Sequence, residues 1–404
     1  MKLLHTSDWH LGQSLFGRPR HDAFAGFLDW LAETVHRQQV DVLLVAGDVF
    51  DTGTPGNRAQ QLYYRFLGQM AASGCQHVVV VAGNHDSPAF LEAPRELLKA
   101  LNVHVIGQCA ADPADEVLLL EDRYGQPGLL VCAVPYLRDR DVRRVRPGES
   151  PEDKDRQLVA GIAGHYARVA EIARARRQAL GRDLPLVATG HLFAAGSQPG
   201  ERDGLRELYV GALGQVSAQI FPDCFSYVAL GHLHLPQTVA GRPHIRYSGA
   251  PLPMGFGETG QGKSVCLVAF DGLEARVDCL AVPVLQHLVR LRGDWPALQA
   301  ALQAMDPAQP AWLEVIYEGQ ALISDLRERL ARLVEGSALD ILCVRNRPLS
   351  QQALGAARPG ENLEELSVDD VFERCLDARQ VPAEQRPALL RTWQETLLDL
   401  HLDQ

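Results

Sequence analysis

The 404-residue chain has no apolar run near the ~18 residues that a membrane-spanning helix needs, which argues against an integral helical membrane protein. Its opening decapeptide, MKLLHTSDWH, carries Asp8 and His10 where a secretory leader would need an unbroken apolar stretch. A soluble, cytoplasmic chain is therefore expected. The eight cysteines form no CxxC pair and follow no regular spacing. That excludes a zinc ribbon and a disulfide framework, and leaves reduced, partly buried thiols as the expectation. Positive charge is in deficit: 39 Lys+Arg against 50 Asp+Glu leave a net charge of −11. Bulk charge alone thus cannot hold a nucleic acid, and any such contact must be local. There is no internal repeat and no low-complexity tract. What is present is an ordinary globular composition, 46% hydrophobic and 22% charged, which excludes wholesale disorder. At about 100–200 residues per domain, the length suits two or three domains.

Apolar runs at residues 2–6, 41–46 (DVLLVA), 77–82 (HVVVVA) and 103–106 read as buried strands. Between them, residues 20–38, 57–72 and 88–101 read as helices; in the first, Phe24, Phe27, Leu28, Leu31 and Val35 share a face. This alternation predicts parallel βαβ units with helices on both faces of the sheet. Further strands are expected at 117–120, 128–134, 185–189, 227–230 and 244–247, with a long helix over 153–180. Residues 263–270 and 274–280 read as a hairpin about Asp271-Gly272. After Pro283 a compact α+β unit is expected, with strands at 284–291, 311–317 and 340–344 and helices at 295–305 and 321–334. A polar linker over 347–361 then precedes two terminal helices, 367–377 and 382–400. In the second, Leu389, Trp393, Leu397 and Leu400 recur at helical spacing.

Chemistry concentrates at the strand ends. Asp8 and His10 stand in D-x-H, Asp48 in GD, Asn84 and His85 in GNHD, His191 in GH, and His232 and His234 in GHLH. Each motif alone is weak, since a histidine often sits satisfied in a turn. Five in order, each at a strand end beside a glycine that lets the backbone turn sharply, are not plausibly coincidental. Ligands in open α/β sheets bind beyond the carboxyl ends of strands, so these residues can converge. Carboxylate, imidazole and amide donors suit a borderline divalent metal such as Mn, Fe or Zn. Two ions about 3.5–4 Å apart need a bridging carboxylate, and Asp48, central in the series, is the natural bridge. A leaving alkoxide needs a proton from a group that is not a ligand; His85, next to Asn84, can supply it, with Asp86 orienting it.

In this order the motifs resemble the calcineurin-like metallophosphoesterase superfamily. The longer strings HTSDWHLG, AGDVFDTGTP, GNHDSP, TGHL, VALGHLHLPQ and RYSGAPLPMGFGE resemble the SbcD family of bacterial nuclease subunits within it, over residues 1–260. The resemblance implies a four-layer α/β fold, two mixed sheets flanked by helices. It implies a nuclease domain over 1–282, a smaller α+β capping domain over 283–347, and a linker with a C-terminal helical tail over 348–404. Asp8, His10, Asp48 and His234 would hold one metal, and Asp48, Asn84, His191 and His232 the second. The ions would be manganese, with His85 as the catalytic acid. The implied activity is 3′–5′ exonuclease on duplex ends and endonuclease on single strands and hairpins, in DNA repair and recombination. The implied partner is SbcC, an ATPase with a long coiled coil, on which the tail would dock; the chain would form a homodimer within a heterotetramer. One departure is Gly56, which follows Pro55 where the family commonly has a second proline; it affects a loop only.

The substrate is less legible. Arg138, Arg140, Arg143, Arg144 and Arg146 fall within nine positions, as phosphate contacts or as a solvated loop partly offset by Asp139 and Asp141. Arg18 and Arg20, just past the first ligand motif, are further candidates for a DNA backbone. Arg174, Arg176, Arg177 and Arg182 are explained by the end of the long helix, where positive charge is favourable. Phe90 and Leu91 are either core or dimer surface. A small-substrate phosphoesterase (a phosphatase or cyclic nucleotide phosphodiesterase) is the alternative on the same scaffold; the extra C-terminal elements count against it. A non-catalytic scaffold is disfavoured because every ligand is present.

Overall fold

The structure is a computed structural model and describes residues 1–143, 148–194, 216–321 and 323–346, with isolated residues between 372 and 393. Two units are distinct, Met1–His287 and Leu288–Gln404.

The first unit opens with β1 (Lys2–Thr6) and a small hairpin, β2 (Ser14–Leu15) and β3 (Arg18–Pro19). Then come α1 (His21–Gln38), β4 (Val42–Ala46), α2 (Asn57–Ala72), β5 (His77–Val81), α3 (Pro88–Glu92), α4 (Arg95–Lys99) and β6 (Val103–Ile106). The chain continues through β7 (Val117–Glu121), β8 (Pro127–Cys132), α5 (Asp139–Val142), α6 (Pro151–Leu180), β9 (Leu186–His191), β10 (Tyr227–Gly231), β11 (Gln237–Val239) and β12 (Arg242–Tyr247). The hairpin β13 (Ser264–Asp271) and β14 (Glu274–Ala281) follows.

Two six-stranded mixed sheets result, in the orders β14-β13-β1-β4-β5-β6 and β11-β12-β10-β9-β8-β7. The expectation of helices on both faces of the first sheet is corrected here: helices cover only its outer face, and the second sheet covers the other. Side-chain alternation along each strand is the cause. In the first sheet Leu4, Leu43, Val45, Val78 and Val80 face outward to Phe24, Phe27, Leu62 and Phe66 of α1 and α2. Leu3, Leu44, Val79 and Val81 face inward, meeting Val131, Val187, Tyr227 and Ala229 of the second sheet. The second sheet in turn sends Leu186, Ala188, Val228 and Leu230 out to α6. Strands buried on both faces read as continuous apolar runs, and such a run does not say whether a helix or a sheet covers it.

The long helix α6 starts two residues before its expected first position because Ser150 Oγ accepts the Asp153 amide (3.1 Å) and Pro151 follows at the first helical position. It ends at Gly181 in the left-handed conformation (φ 62°). The helix expected over 88–101 is two short helices, since Pro94 has no amide proton to continue the first. Leu91 is core, and Phe90 packs edge-on against Phe50.

The second unit places β15 (Leu288–Gly293), β16 (Ala311–Tyr317) and β17 (Leu339–Asn346) in one parallel sheet. Its helices are α7 (Trp295–Gln303) and α8 (Leu326–Val334). The latter begins five residues later than expected, because Ile323 packs into the core and Asp325 takes the flanking position. Leu298, Leu313, Val315 and Leu330 form the core. The expected linker and most of both terminal helices lie outside the described residues; Trp393 stacks on Phe372 (centroids 4.5 Å, planes at 5°).

Within this unit Glu314 is fully buried between Arg290 (2.6 Å) and Arg345 (2.8 Å), one on each neighbouring strand. Removing the carboxylate takes the Glu314 ion pair from both guanidinium groups, Arg290 being itself buried. Glu314→Ala is expected to destabilise this unit by about 3 kcal/mol, the low end of the range because Arg345 is partly exposed. Denaturant unfolding of the variant against the parent chain checks this.

Candidate metal centre

The C-terminal ends of β1, β4, β5, β9 and β10 open onto one point, and the backbone there is bent hard to aim donors at it. Asp8 (φ 53°), His10 (φ 47°), Asp48 (φ 49°) and His232 (φ 101°) all adopt left-handed conformations that non-glycine residues rarely take. Such conformations cost of order 1–3 kcal/mol each and persist where surrounding contacts over-determine them. Those contacts are present. The Asp8 amide donates to the Gly47 carbonyl and the His10 amide to the Asp48 carbonyl, each at 3.0 Å. Gly83 is needed for close approach: a Cβ there would stand 2.1 Å from Asp48 Oδ1 and 2.4 Å from its amide nitrogen.

Asp48 is the hub. Its Oδ1 accepts the His85 amide at 2.9 Å. Its Oδ2 lies 3.2 Å from His191 Nε2 and 3.6 Å from His10 Nε2. One oxygen thus faces two separate groups of donors. On one side, Asp8, His10 and His234 each offer an atom within 4.8 Å of the others. On the other, Asn84 Oδ1 lies 3.0 Å from His191 Nε2 and 3.1 Å from His232 Nδ1. Asp8, Asp48 and His191 form a further compact group.

Outer contacts select which imidazole nitrogen points inward. His191 Nδ1 donates to the Ala46 carbonyl (3.0 Å) and His234 Nδ1 to Glu258 Oε1 (3.1 Å), leaving Nε2 of each as a donor to a cation. Glu258 is itself held by Lys263 (2.5 Å) and the Met254 amide (3.1 Å). Burial pushes the Glu258 carboxyl up, but His234 and Lys263 outweigh that and bring its pKa down to about 2. Asp8 Oδ2 accepts from Ser7 (2.5 Å), and Asp8 Oδ1 from the His232 amide (2.9 Å).

The donors fit divalent cations. His10 is almost fully buried, and neither of its ring nitrogens makes a well-formed hydrogen bond. Carboxylates, imidazoles and one amide oxygen form the set that borderline divalent metals prefer. The electrostatics agree. Burial works against a charged His10, but Asp51, Asp48 and Asp8 overcome it and raise its pKa to about 9. Burial likewise opposes charge on His191, and Asp48 and Asp8 raise it to about 9. Asp48 is held well below the carboxylate range by His191, His10 and His85 despite its burial. The pocket attracts positive charge, and protons occupy it when cations do not.

The remaining candidates divide. His85 sits beside the ligand groups, its ring 4.9 Å from that of His10, and its Nδ1 donates to the Asp51 carbonyl at 2.9 Å. Asp86 does not orient it, contrary to expectation. The Asp86 carboxylate turns away to accept the amides of Gly83 (2.9 Å), Val49 (3.1 Å) and Phe50 (2.9 Å), tying the Asp48 and Asn84 loops together. Burial, then repulsion by Asp48, lifts its pKa to about 6, against those three donors. Arg20 is not a surface cation: it is 2% exposed, and its guanidinium donates to Gln13 (2.6 Å) and Gln286 (2.7 Å). Arg143 is buried in ion pairs with Asp139 (2.6 Å) and Glu149 (2.5 Å), so it is not free for phosphate either. Arg138 is half-buried at the start of α5, while Arg18 and Arg140 are exposed. Arg144 and Arg146 lie outside the described residues. Arg176 serves structure, donating to the Val117 and Ala114 carbonyls. Sequence reasoning missed Asp51, Glu258 and Lys263. Asp51, three residues after Asp48 in GDVFD, had a local signal; Glu258 and Lys263, outside any ligand motif, had none.

Two outcomes follow. Histidines protonated at pH 7 must lose protons to bind metal, so metal uptake should release protons and tighten as pH rises from 7 to 9. The metal-free chain should show the opposite trend: stability from these raised pKa values is full below about 6.5 and lost as pH rises through about 9. Mn²⁺ titration calorimetry in buffers of different ionisation heat, paired with metal-free melting curves, tests both; an affinity flat across that range contradicts the charge assignment. Gly83→Ala should displace Asp48, lower stability by more than about 2 kcal/mol and abolish tight metal uptake, read by the same titration.

Comparison with known proteins agrees with this architecture. The family described as "Calcineurin-like phosphoesterase" matches residues 1–236, and that described as "Type 5 capsule protein repressor C-terminal domain" (SbcD_C) matches residues 284–380. The chain is 38% identical to the SbcD subunit of the SbcCD nuclease from Escherichia coli K12 over 402 residues, 98% of each chain. It is 39% identical to the corresponding SbcCD nuclease subunit from Rhodobacter capsulatus over 363 residues, covering 82% of this chain and 87% of the other. With the corresponding Bacillus subtilis protein it shares 36% identity over 278 residues, 68% of each. A metallophosphoesterase fold with His/Asp clusters at its strand ends, joined to an SbcD-type C-terminal region, places the chain in the SbcD nuclease-subunit family of the calcineurin-like phosphoesterases.

Proposed function

We propose that this chain hydrolyses DNA phosphodiesters at a two-manganese centre, as a 3′–5′ exonuclease on duplex ends and an endonuclease on single strands and hairpins. The observation that carries this reading is the position of Asp48 Oδ2 between two imidazole groups, with His85 beside them and its Nδ1 already engaged. Asp8, His10, His234 and Asp48 would hold one ion, and Asp48, Asn84, His191 and His232 the other. When bound, the pair supplies charge neutralisation on the phosphate and a water of lowered pKa.

The chain's own residues do the rest. The Asp51 carbonyl fixes the Nδ1–H of His85, so Nε2 is the atom that gains and loses a proton. In its protonated form that nitrogen donates to the leaving alkoxide. Asp86 keeps the Asp48 and Asn84 loops in register through three amide bonds, a positioning role. Arg18 and Arg140, both exposed, are the candidates for DNA backbone contact. With a net charge of −11 the isolated chain should grip DNA weakly. The stronger grip belongs to an ATPase partner of the SbcC kind, within a heterotetramer built on a dimer of this chain. The second unit corresponds to the capping domain of such a subunit. Leu389, 40% exposed, fits a tail that docks on the partner's coiled coil. The implied setting is a cytoplasmic DNA-repair complex; no helix among the described residues is long and apolar enough to cross a membrane.

His85→Gln should lower Mn²⁺-dependent cleavage of a hairpin substrate by about 10²–10⁴-fold while two ions still bind per chain. Cleavage assays run beside equilibrium dialysis separate the two effects; full activity in the variant would remove His85 from the mechanism. Fast turnover of phosphomonoesters or cyclic nucleotides with none of DNA would instead support the small-substrate reading.

A further inference from the structure

Where edges of the two sheets of the first unit meet, two cysteines face each other. Cys266 on β13 is directly opposite Cys279 on β14, the edge strand. Cys266 is 1% exposed and Cys279 is solvent-exposed; both are free thiols. Directly opposed residues of an antiparallel pair have Cα atoms about 4.5–5.5 Å apart, within the roughly 4.4–6.8 Å a disulfide spans.

The surroundings are built for a thiolate. Arg246 on β12 donates from Nη2 to the Cys279 sulfur at 3.3 Å. Among the described residues Arg246 pairs with no carboxylate, and its buried Nε has no acceptor. A guanidinium so placed lacks a counter-ion, and the nearby anion available to it is the Cys279 sulfur. On the other side of Cys266, in register on β1, stands His5, fully buried. Its Nδ1 engages Tyr227 Oη (2.9 Å) and its Nε2 has no partner. Imidazole, buried thiol and exposed sulfur thus occupy one row across β1, β13 and β14, and the Arg246 guanidinium reaches its outer end from β12.

We propose that Cys279 and Cys266 form a peroxide-reactive dithiol, with Cys279 the attacking thiolate, Cys266 the resolving thiol and Arg246 the residue that holds the thiolate. The Cys279 sulfur attacks one oxygen of hydrogen peroxide, the O–O bond breaks, and a sulfenic acid forms as the departing hydroxide takes a proton to become water. The Cys266 sulfur then attacks the sulfenic sulfur and expels its hydroxide, which takes the Cys266 proton to give a second water. The two thiols lose two electrons and the peroxide gains them. The charge balance agrees with this assignment of roles. The Cys266 hydrogen bond lowers the Cys279 pKa to about 6, with help from Arg246 against burial and Asp278, and Cys266 itself is pushed up as the donor. Other half-buried thiols lack this setting; Cys109 is raised to about 12 by burial and Glu116.

The experiment uses the full chain. After dilute hydrogen peroxide and blocking of free thiols, peptide mapping should find a Cys266–Cys279 linkage that dithiothreitol reverses. Cys266→Ser should stop at a Cys279 sulfenic acid captured by dimedone. Without oxidant, Cys279 should be the thiol iodoacetamide labels fastest at pH 7, and Arg246→Gln should slow that labelling about tenfold. Mn²⁺ uptake equal to the parent's shows that each variant is folded. Should Arg246→Gln misfold, the linkage map and relative labelling rates of the parent chain still decide. Cys279 labelling no faster than Cys109 or Cys343, or peroxide linking other cysteines, overturns the proposal.

Discussion

One carboxylate oxygen organises this protein. Asp48 Oδ2 stands between His191 and His10 at 3.2 and 3.6 Å, while the other oxygen of that carboxylate is tethered by the His85 amide. The tether sets which way the carboxylate faces, and with it whether two groups of donors share an atom or merely sit near each other. Around it, five strand ends from both sheets are brought within reach by backbone bends that would be unfavourable in isolation. The inter-sheet core of Leu44, Val79, Val187 and Ala229 holds the two sheets in the register those bends require.

The acidity of the pocket follows from the same arrangement. Three carboxylates, Asp8, Asp48 and Asp51, surround the buried His10. Without cations the site retains protons on histidines that burial would otherwise keep neutral. Burial and charge oppose each other at nearly every group here, and the resolved shifts of His10, His191, Asp48 and Glu258 show charge prevailing. At Asp86 burial prevails, because the nearest charge is another carboxylate. Such a site is arranged around positive charge more than around any single geometry.

Much of this was legible in the residue order. Strands β1, β4, β5 and β10 read directly from their apolar runs, and the donors at their ends read from D-x-H, GD, GNHD and GHLH, since a strand end followed by glycine and a polar residue is a local signal. Reading failed where the partner was remote. Arg20 beside the D-x-H motif suggests a phosphate contact; folded, it is buried against Gln13 and Gln286, a partner 266 positions away. Asp86 beside His85 suggests an orienting pair; folded, successive side chains diverge and Asp86 serves three amides instead. Alternating strands and helices say nothing of a second sheet taking the inner face.

The sequence by itself thus determined the donor inventory, its order and its placement at strand ends, because those depend on local patterning and on a small number of residue types able to bind cations. Only the tertiary structure decided that Asp48 faces both donor groups, that Glu258 and Lys263 back His234, and that Cys266 meets Cys279 beside Arg246. These are meetings between distant segments, set by strand register and sheet packing. A shift of one residue in register would turn Cys266, Cys279 or Arg246 to the opposite face, and no local pattern encodes which register is adopted.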